Sequence, residues 1–404
     1  MIDRYKNKEI DDIFSKRTTY EIYWIIENNN LKLHTNFFDK NNFRLDDSLP
    51  LFNEEEIEKI LKIEEKTKHE TNAFVNYFAS FNTESSLYVH RNLTSSDLID
   101  TATMIQMSFA HFLLRSAVED LVNQIDLRKI KATQESNPLI MSRTHGQHAL
   151  PIKLKSLFEQ WIGYLDIWIQ DAKEQQFYVK IAGPVGDQTS LQVELEKELA
   201  RYYQVSTIKS TALKSQVTQI LPRTLYSKIL FNLVNLGTIL EKIATDIRLH
   251  SQTGIEEIFE PFTEDQSGSS SMPNKRNPIL SENICGLARI LRGYMISSLE
   301  NVATWNHRDI SHSSVERIII PDSYHLLMHM VKNLNYVMRD LVLNDTKIKE
   351  NISETTDLTI NFQNYLKETG FPHELAYKLA KKISQESKTE QEFWEKAQFY
   401  GFTK

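Results

Sequence analysis

The sequence predicts an all-α protein built on a bundle of long helices, and three observations carry that expectation. Only 11 glycines and 10 prolines punctuate 404 residues, and none of the glycines precedes Gly146. Tight turns with positive φ are therefore few, which favours long uninterrupted helices. Apolar residues recur at helical spacing, most clearly in Leu225, Ile229, Leu233, Leu236, Leu240, Ile243 and Ile247. No period-2 series, low-complexity run or internal repeat competes with that pattern.

Taken in chain order, residues 1–110 hold shorter helical stretches. The run Thr94-Ser95-Ser96-Asp97 supplies side chains that cap a helix start, and apolar spacing then continues from Asp97 to Gln124. Comparable patterns cover Ile152 to Gln175, Leu225 to His250, Pro278 to Thr304 and Pro321 to Leu343. In the Leu225–His250 stretch, Leu230, Val234, Ile239 and Ala244 form a second stripe. Two stripes mean burial on more than one side, and the helix would run about 39 Å. Tyr178 to Ile181 and Ile318 to Ile320 are the short β-like pieces. The reading divides the chain into an N-terminal helical domain (1–110), a central long-helix bundle (111–353) and a short C-terminal helical domain (354–404). The last is rich in Lys and Glu, with one helix around Glu374 to Gln385.

Composition excludes several classes of function. With 41% apolar and 25% charged residues the chain fits neither a disordered nor a membrane protein. A net charge of −7 gives no general attraction for nucleic acid, so an anionic ligand needs a local cluster of cations. No apolar run is long enough to span a bilayer, and Met1 to Lys6 lacks the core of a signal peptide. Cys285, the single cysteine, excludes an internal disulfide and reads as a small buried side chain within Ile284 to Leu287. A cytoplasmic protein is the expectation.

Several clusters could carry chemistry. The loop Gly268 to Pro278 combines serine hydroxyls with Lys275, Arg276 and Asn277, many donors to an anion, or else forms a polar linker. Arg143-Thr144-His145-Gly146-Gln147-His148 places two histidines three apart without a cysteine or acid at ligand spacing, so no metal is expected. His325 and His329 lie four apart in an apolar stretch and read as core or surface histidines rather than as metal ligands. His69 and His90 each precede a helical stretch. Finally, Arg308 and Arg317 flank Ser311, Ser313 and Ser314, a set suited to phosphate because guanidinium forks match its oxygens. Pairing with Asp309 and Glu316 as a surface charge cluster is the alternative.

Together these pieces resemble the fumarase/aspartase superfamily, whose signature Gly-Ser-Ser-x-Met-Pro-x-Lys-x-Asn-Pro is matched throughout by Gly268 to Pro278. Arg4-Tyr5, Thr144-His145-Gly146-x-His148 and Arg308 to Ser314 followed by Glu316-Arg317 resemble its adenylosuccinate lyase branch. The resemblance runs over nearly the whole chain and is weakest after about residue 355. It implies a homotetramer with a twenty-helix core, active sites shared between three chains, and a small-molecule purine nucleotide substrate. The reactions implied release fumarate from adenylosuccinate, giving AMP, and from the succinylated aminoimidazole carboxamide ribotide; no cofactor, nucleic acid or membrane is involved.

The resemblance also implies roles. Ser269 matches the general base, His145 the general acid and Glu282 the carboxylate that orients and charges that histidine. Lys275 and Asn277 match the donors to the succinyl carboxylates. His69, His90, Thr94, Ser95 and Gln219 match further substrate contacts, and Arg4, Tyr5, Arg308, Ser313 and Arg317 match nucleotide and phosphate contacts. Asn92, Lys155, Thr224, Asn274 and His307 depart from the family's usual residues; Asn92 replaces a glycine, and asparagine tolerates positive φ better than most residues. None of the departures removes a proposed acid, base or phosphate arginine. A related lyase acting on another succinyl–amine adduct and a non-catalytic helical assembly protein are the alternatives.

Overall fold

The computed structural model describes residues 1–38, 52–81, 86–135, 138–203, 207–211, 217–263, 266, 271–272, 274–352 and 354–403. Among these the helices are α1 (Lys8–Ile13), α2 (Lys16–Phe38), α3 (Glu54–Thr67), α4 (Glu70–Phe81), α5 (Ser95–Glu135), α6 (Leu154–Glu174) and α7 (Ser190–Tyr202). They continue with α8 (Arg223–His250), α9 (Ile279–Glu300), α10 (Ser311–Arg339), α11 (Asp345–Glu350), α12 (Glu354–Glu368), α13 (His373–Glu386) and α14 (Glu390–Gln398). The all-α expectation holds. Short strands pair in twos: β1 (Leu139–Thr144) with β2 (Gln147–Lys153), β3 (Phe177–Val179) with β4 (Ile208–Ser210), and β5 (Ile258–Phe259) with β6 (Val342–Leu343). None of the described helices is long and apolar enough to cross a membrane.

The chain forms two compact units. One comprises Met1–Leu121, Leu165–Lys242 and Asn283–Leu334, the other Val122–Tyr164, Ile243–Glu282 and Asn335–Lys404. In the first unit, α5 starts where the sequence places a cap: the Thr94 N–H donates to Asp97 Oδ2 at 2.8 Å, and the Asp97 N–H to the Thr94 carbonyl at 3.0 Å. Helix α8 buries Ile229, Leu230, Leu233, Leu236 and Leu240 there, each to within 1% of full burial. Each such side chain contributes about 1.5–3 kcal/mol of transfer free energy. Gly237 lets α9 come close, since a Cβ at that position would stand 2.6 Å from Leu291 Cδ1.

Two departures from the sequence reading have physical causes. Ile318 to Ile320 lie inside α10 and not in a strand. The helix runs through Pro321, which forgoes one backbone hydrogen bond, because Tyr324, Leu327, Met330 and Leu334 continue the buried stripe on its far side. In the second unit, residues 139–153 form an antiparallel hairpin that the periodicity did not signal. Its strand β1 has the burial order exposed, buried, buried, intermediate, with a register shift between Met141 and Arg143, so no clean alternation exists to be read.

The second unit also contains α12, α13 and α14, where the sequence suggested one helix. They share an apolar core of Phe362, Leu366, Ala376, Ala380, Ile383, Phe393 and Ala397.

Candidate active site

In the second unit, the β1–β2 hairpin places His145 at its tip. Thr144 pairs with Gln147, leaving a two-residue turn of His145 (φ 56°) and Gly146 (φ 74°). Positive φ at both positions is the turn whose twist suits a hairpin. His145 is exposed. Behind it, Arg143 forms a two-pronged pair with buried Glu257, both N···O distances being 2.8 Å. Burial alone would raise the Glu257 carboxyl, but hydrogen bonds from His250, Arg143 and Asn351 and the charge of Arg143 hold it down at about 2.

Helix α9 opens directly after Pro278, whose carbonyl accepts from the Glu282 N–H at 2.9 Å. Glu282 therefore sits at the end of the first turn, exposed. Lys275 is exposed and Asn277 half-buried on the approach to the helix. Ser269 lies outside the described residues. Among the described residues no hydrogen bond or ion pair joins His145 to Glu282 within the chain.

The first unit gathers a donor-rich cluster from three distant segments. Arg308 Nη1 donates to Ser95 Oγ at 3.1 Å and to Gln219 Oε1 at 2.9 Å. Beneath them, buried Lys180 pairs with Asp97 at 2.8 Å and donates to the Gln219 carbonyl. Asp97 in turn holds Thr94 through its N–H and caps the Ala182 and Gly183 N–H groups at 2.8 and 3.2 Å.

His90, at φ 54°, meets the buried carboxylate of Glu27, with Nδ1 at 2.5 Å and the backbone N–H at 3.0 Å. Burial would lower the imidazole pKa, yet Glu27 outweighs it and the pKa is raised. His69 caps α4, its Nδ1 accepting from the Asn72 N–H at 3.2 Å. Its neighbour Glu70 pairs with Arg317 at 3.1 Å. Ser313, Glu316, Arg317, Glu70 and Tyr23 line a cleft of about 170 Å³. Tyr5 packs edge-on against His329, ring centroids 4.9 Å apart, while Arg4 beside it is exposed. Among the described residues, no three His, Cys, Asp or Glu side chains converge as metal ligands would.

Residues 28–293 match a lyase family model. The adenylosuccinate lyase of Aquifex aeolicus is 34% identical over 365 residues, covering 87% of this chain and 80% of that protein. That of Deinococcus radiodurans is 32% identical, covering 93% and 87%. The chain belongs to the adenylosuccinate lyase family. In fold it is also similar to a fumarate lyase from Mesorhizobium sp. BNC1, with TM-score 0.79 at 18% identity over 99% of this chain and 91% of that one.

For a member of this family, the structure brings Ser95, Gln219 and Arg308 into direct contact, with Thr94 one residue away. It places Ser313 and Arg317 on one cleft beside Glu70, the neighbour of His69. His145, Lys275, Asn277 and Glu282 are in the other unit. Asn92 has φ 60°, a left-handed conformation that asparagine tolerates better than most residues. The sequence reading missed the supporting residues Lys180 and Glu257. A charged residue inside an apolar surrounding, such as Lys180 next to Ile181, was the available signal.

Proposed function

We propose that the chain eliminates fumarate from adenylosuccinate to give AMP, and from the succinylated aminoimidazole carboxamide ribotide to give its carboxamide. Membership of the family carries the reading, and the Ser95–Gln219–Arg308 cluster supports it as a cationic donor set for an anionic substrate.

The chemical difficulty is removal of a weakly acidic C–H proton beside a carboxylate, followed by C–N cleavage. Ser269, deprotonated to its alkoxide with Lys275 and the loop N–H groups stabilising that charge, takes the proton, and the charge that develops on the carboxylate is met by Lys275 and Asn277. Prepositioned donors of this kind commonly contribute the largest share of the rate enhancement. His145 then delivers a proton to the departing nitrogen, with Glu282 orienting and charging its imidazole. Arg4, Tyr5, Arg308, Ser313 and Arg317 hold the nucleotide and its phosphate; His69, His90, Thr94, Ser95 and Gln219 contact the rest of the substrate.

The working form in this proposal is a cytoplasmic homotetramer in which each site draws on three chains, the central zone 111–353 supplying the shared core between the end zones 1–110 and 354–404. Exposed Phe112, Ile167, Phe231 and Ile296 are each more than 60% accessible on long helices, and apolar side chains left uncovered in the single chain support burial against other chains. The test is fumarate release from adenylosuccinate, followed by ultraviolet absorbance with the purified protein. Turnover supports the proposal, and none at any concentration of folded tetramer refutes it.

A further inference from the structure

We infer that the four-residue segment Glu257-Ile258-Phe259-Glu260 is a positioning device, holding the hairpin that presents His145 at one end and the first turn of α9, which presents Glu282, at the other. The inference rests on the proposed roles of those two residues.

At one end, Glu257 is fully buried and saturated with donors: two from Arg143 at 2.8 Å, His250 Nδ1 at 2.7 Å and Asn351 Nδ2 at 3.0 Å. Its backbone is tied as well, the N–H to the His250 carbonyl and the carbonyl to the Asn344 N–H, both at 2.9 Å. Arg143 stands two residues before His145 on β1. Among the described residues, its pair with Glu257 is the one side-chain hydrogen-bonded link from residues 139–153 to another segment. The register runs unbroken from Arg143 with His148 to Thr144 with Gln147, so fixing Arg143 fixes where the backbone of the two-residue turn holds His145.

At the other end, Glu260 is 9% exposed and its two oxygens accept from the Leu280 and Ser281 N–H groups at 3.1 and 2.6 Å. Those are free donors of a helix start, and a carboxylate there satisfies both. Glu282 is the next residue along. Between the two carboxylates, β5 is paired with β6, Ile258 with Leu343 and Phe259 with Val342, and Ile258 is fully buried, so the spacer is rigid.

Stability alone gives little reason for this construction. A buried ion pair is often no better than an apolar pair of the same volume. A guanidinium–carboxylate fork does add a fixed direction, which a catalytic hairpin needs and a packing contact does not.

Two double-mutant cycles test the inference, with circular dichroism and oligomeric state checked for every variant. Arg143→Lys keeps the charge opposite Glu257 but removes the fork. It is expected to lower kcat by at least about tenfold while KM stays within about threefold, and to cause no further loss in a His145→Gln background. Glu260→Gln is expected to behave likewise with Glu282→Gln. Independent, multiplicative losses in either cycle overturn the inference, because residues that act only through His145 or Glu282 have nothing left to disturb once those are gone. Wild-type turnover in His145→Gln alone would overturn the acid assignment beneath it, a different outcome from additivity.

Discussion

Arg223 and Asp100 form a buried two-pronged ion pair, Nη2 to Oδ1 at 2.8 Å and Nη1 to Oδ2 at 3.1 Å, with side chains no more than 2% exposed. Arg223 also reaches Glu316 at 2.9 Å, and Asp100 accepts from the Leu221 N–H at 2.8 Å. The pair thus ties α5 and the start of α8 to the α10 turn that carries Ser313 and Arg317. Burial alone would raise the Asp100 carboxyl, but the charges of Arg223 and Lys180 hold it below the usual carboxylate range. Asp100→Asn leaves Arg223 buried with its charge only partly met, and is expected to cost about 3–5 kcal/mol. Denaturant unfolding of variant and wild type gives the value; a loss below about 1 kcal/mol would show the network relaxing around the change.

Arg308 already donates to Ser95 and Gln219, so its guanidinium is aimed before any ligand arrives. Arg308→Ala and Arg317→Ala should each weaken AMP binding by about 1.5–3 kcal/mol, the range for a hydrogen bond to a charged group. Calorimetric titration measures it, and unchanged affinity in both variants would exclude the proposed phosphate site.

Ser269→Ala and His145→Ala should each reduce turnover by about a hundredfold or more, as loss of a general base or acid does. If the proposed shared site draws His145 and Ser269 from different chains, mixing these two inactive variants should restore part of the activity through hybrid tetramers. Subunit exchange without recovery would mean that one chain supplies both groups.

His90 gives a pH signature of opposite sign to that of the carboxylates. Its folded pKa is raised above the ordinary 6.5 by Glu27. The stability it contributes is therefore fully present below about 6.5 and is lost as pH rises through the raised value. The melting-temperature gap between wild type and His90→Asn should shrink as pH rises above about 6.5. A gap constant across that range would mean that His90 stays neutral beside Glu27.

Periodicity along the chain determined the long helices, because apolar residues three and four apart share one helix face whatever they pack against. Leu233, Leu236 and Leu240 could be assigned to the core on that ground, and Cys285 to a buried position. Caps were equally legible at Thr94 to Asp97, where partners lie within a few residues of each other. The hairpin at 139–153 was not legible, since its strands interrupt their alternation at a register shift and its turn is His-Gly. Nor could Ile318 to Ile320 be separated from a strand: three β-branched residues before a proline look extended until the buried stripe beyond Pro321 holds the helix together. The motifs named His145, Lys275 and Arg308 as chemical groups, but their supports came only with the fold. Lys180, Arg223 and Glu257 find their carboxylate or cationic partners 83, 123 and 114 residues away. Pairings at such separations leave no spacing in the sequence. They are decided by tertiary packing, where a charge cut off from water must be met by whatever opposite charge the fold brings beside it.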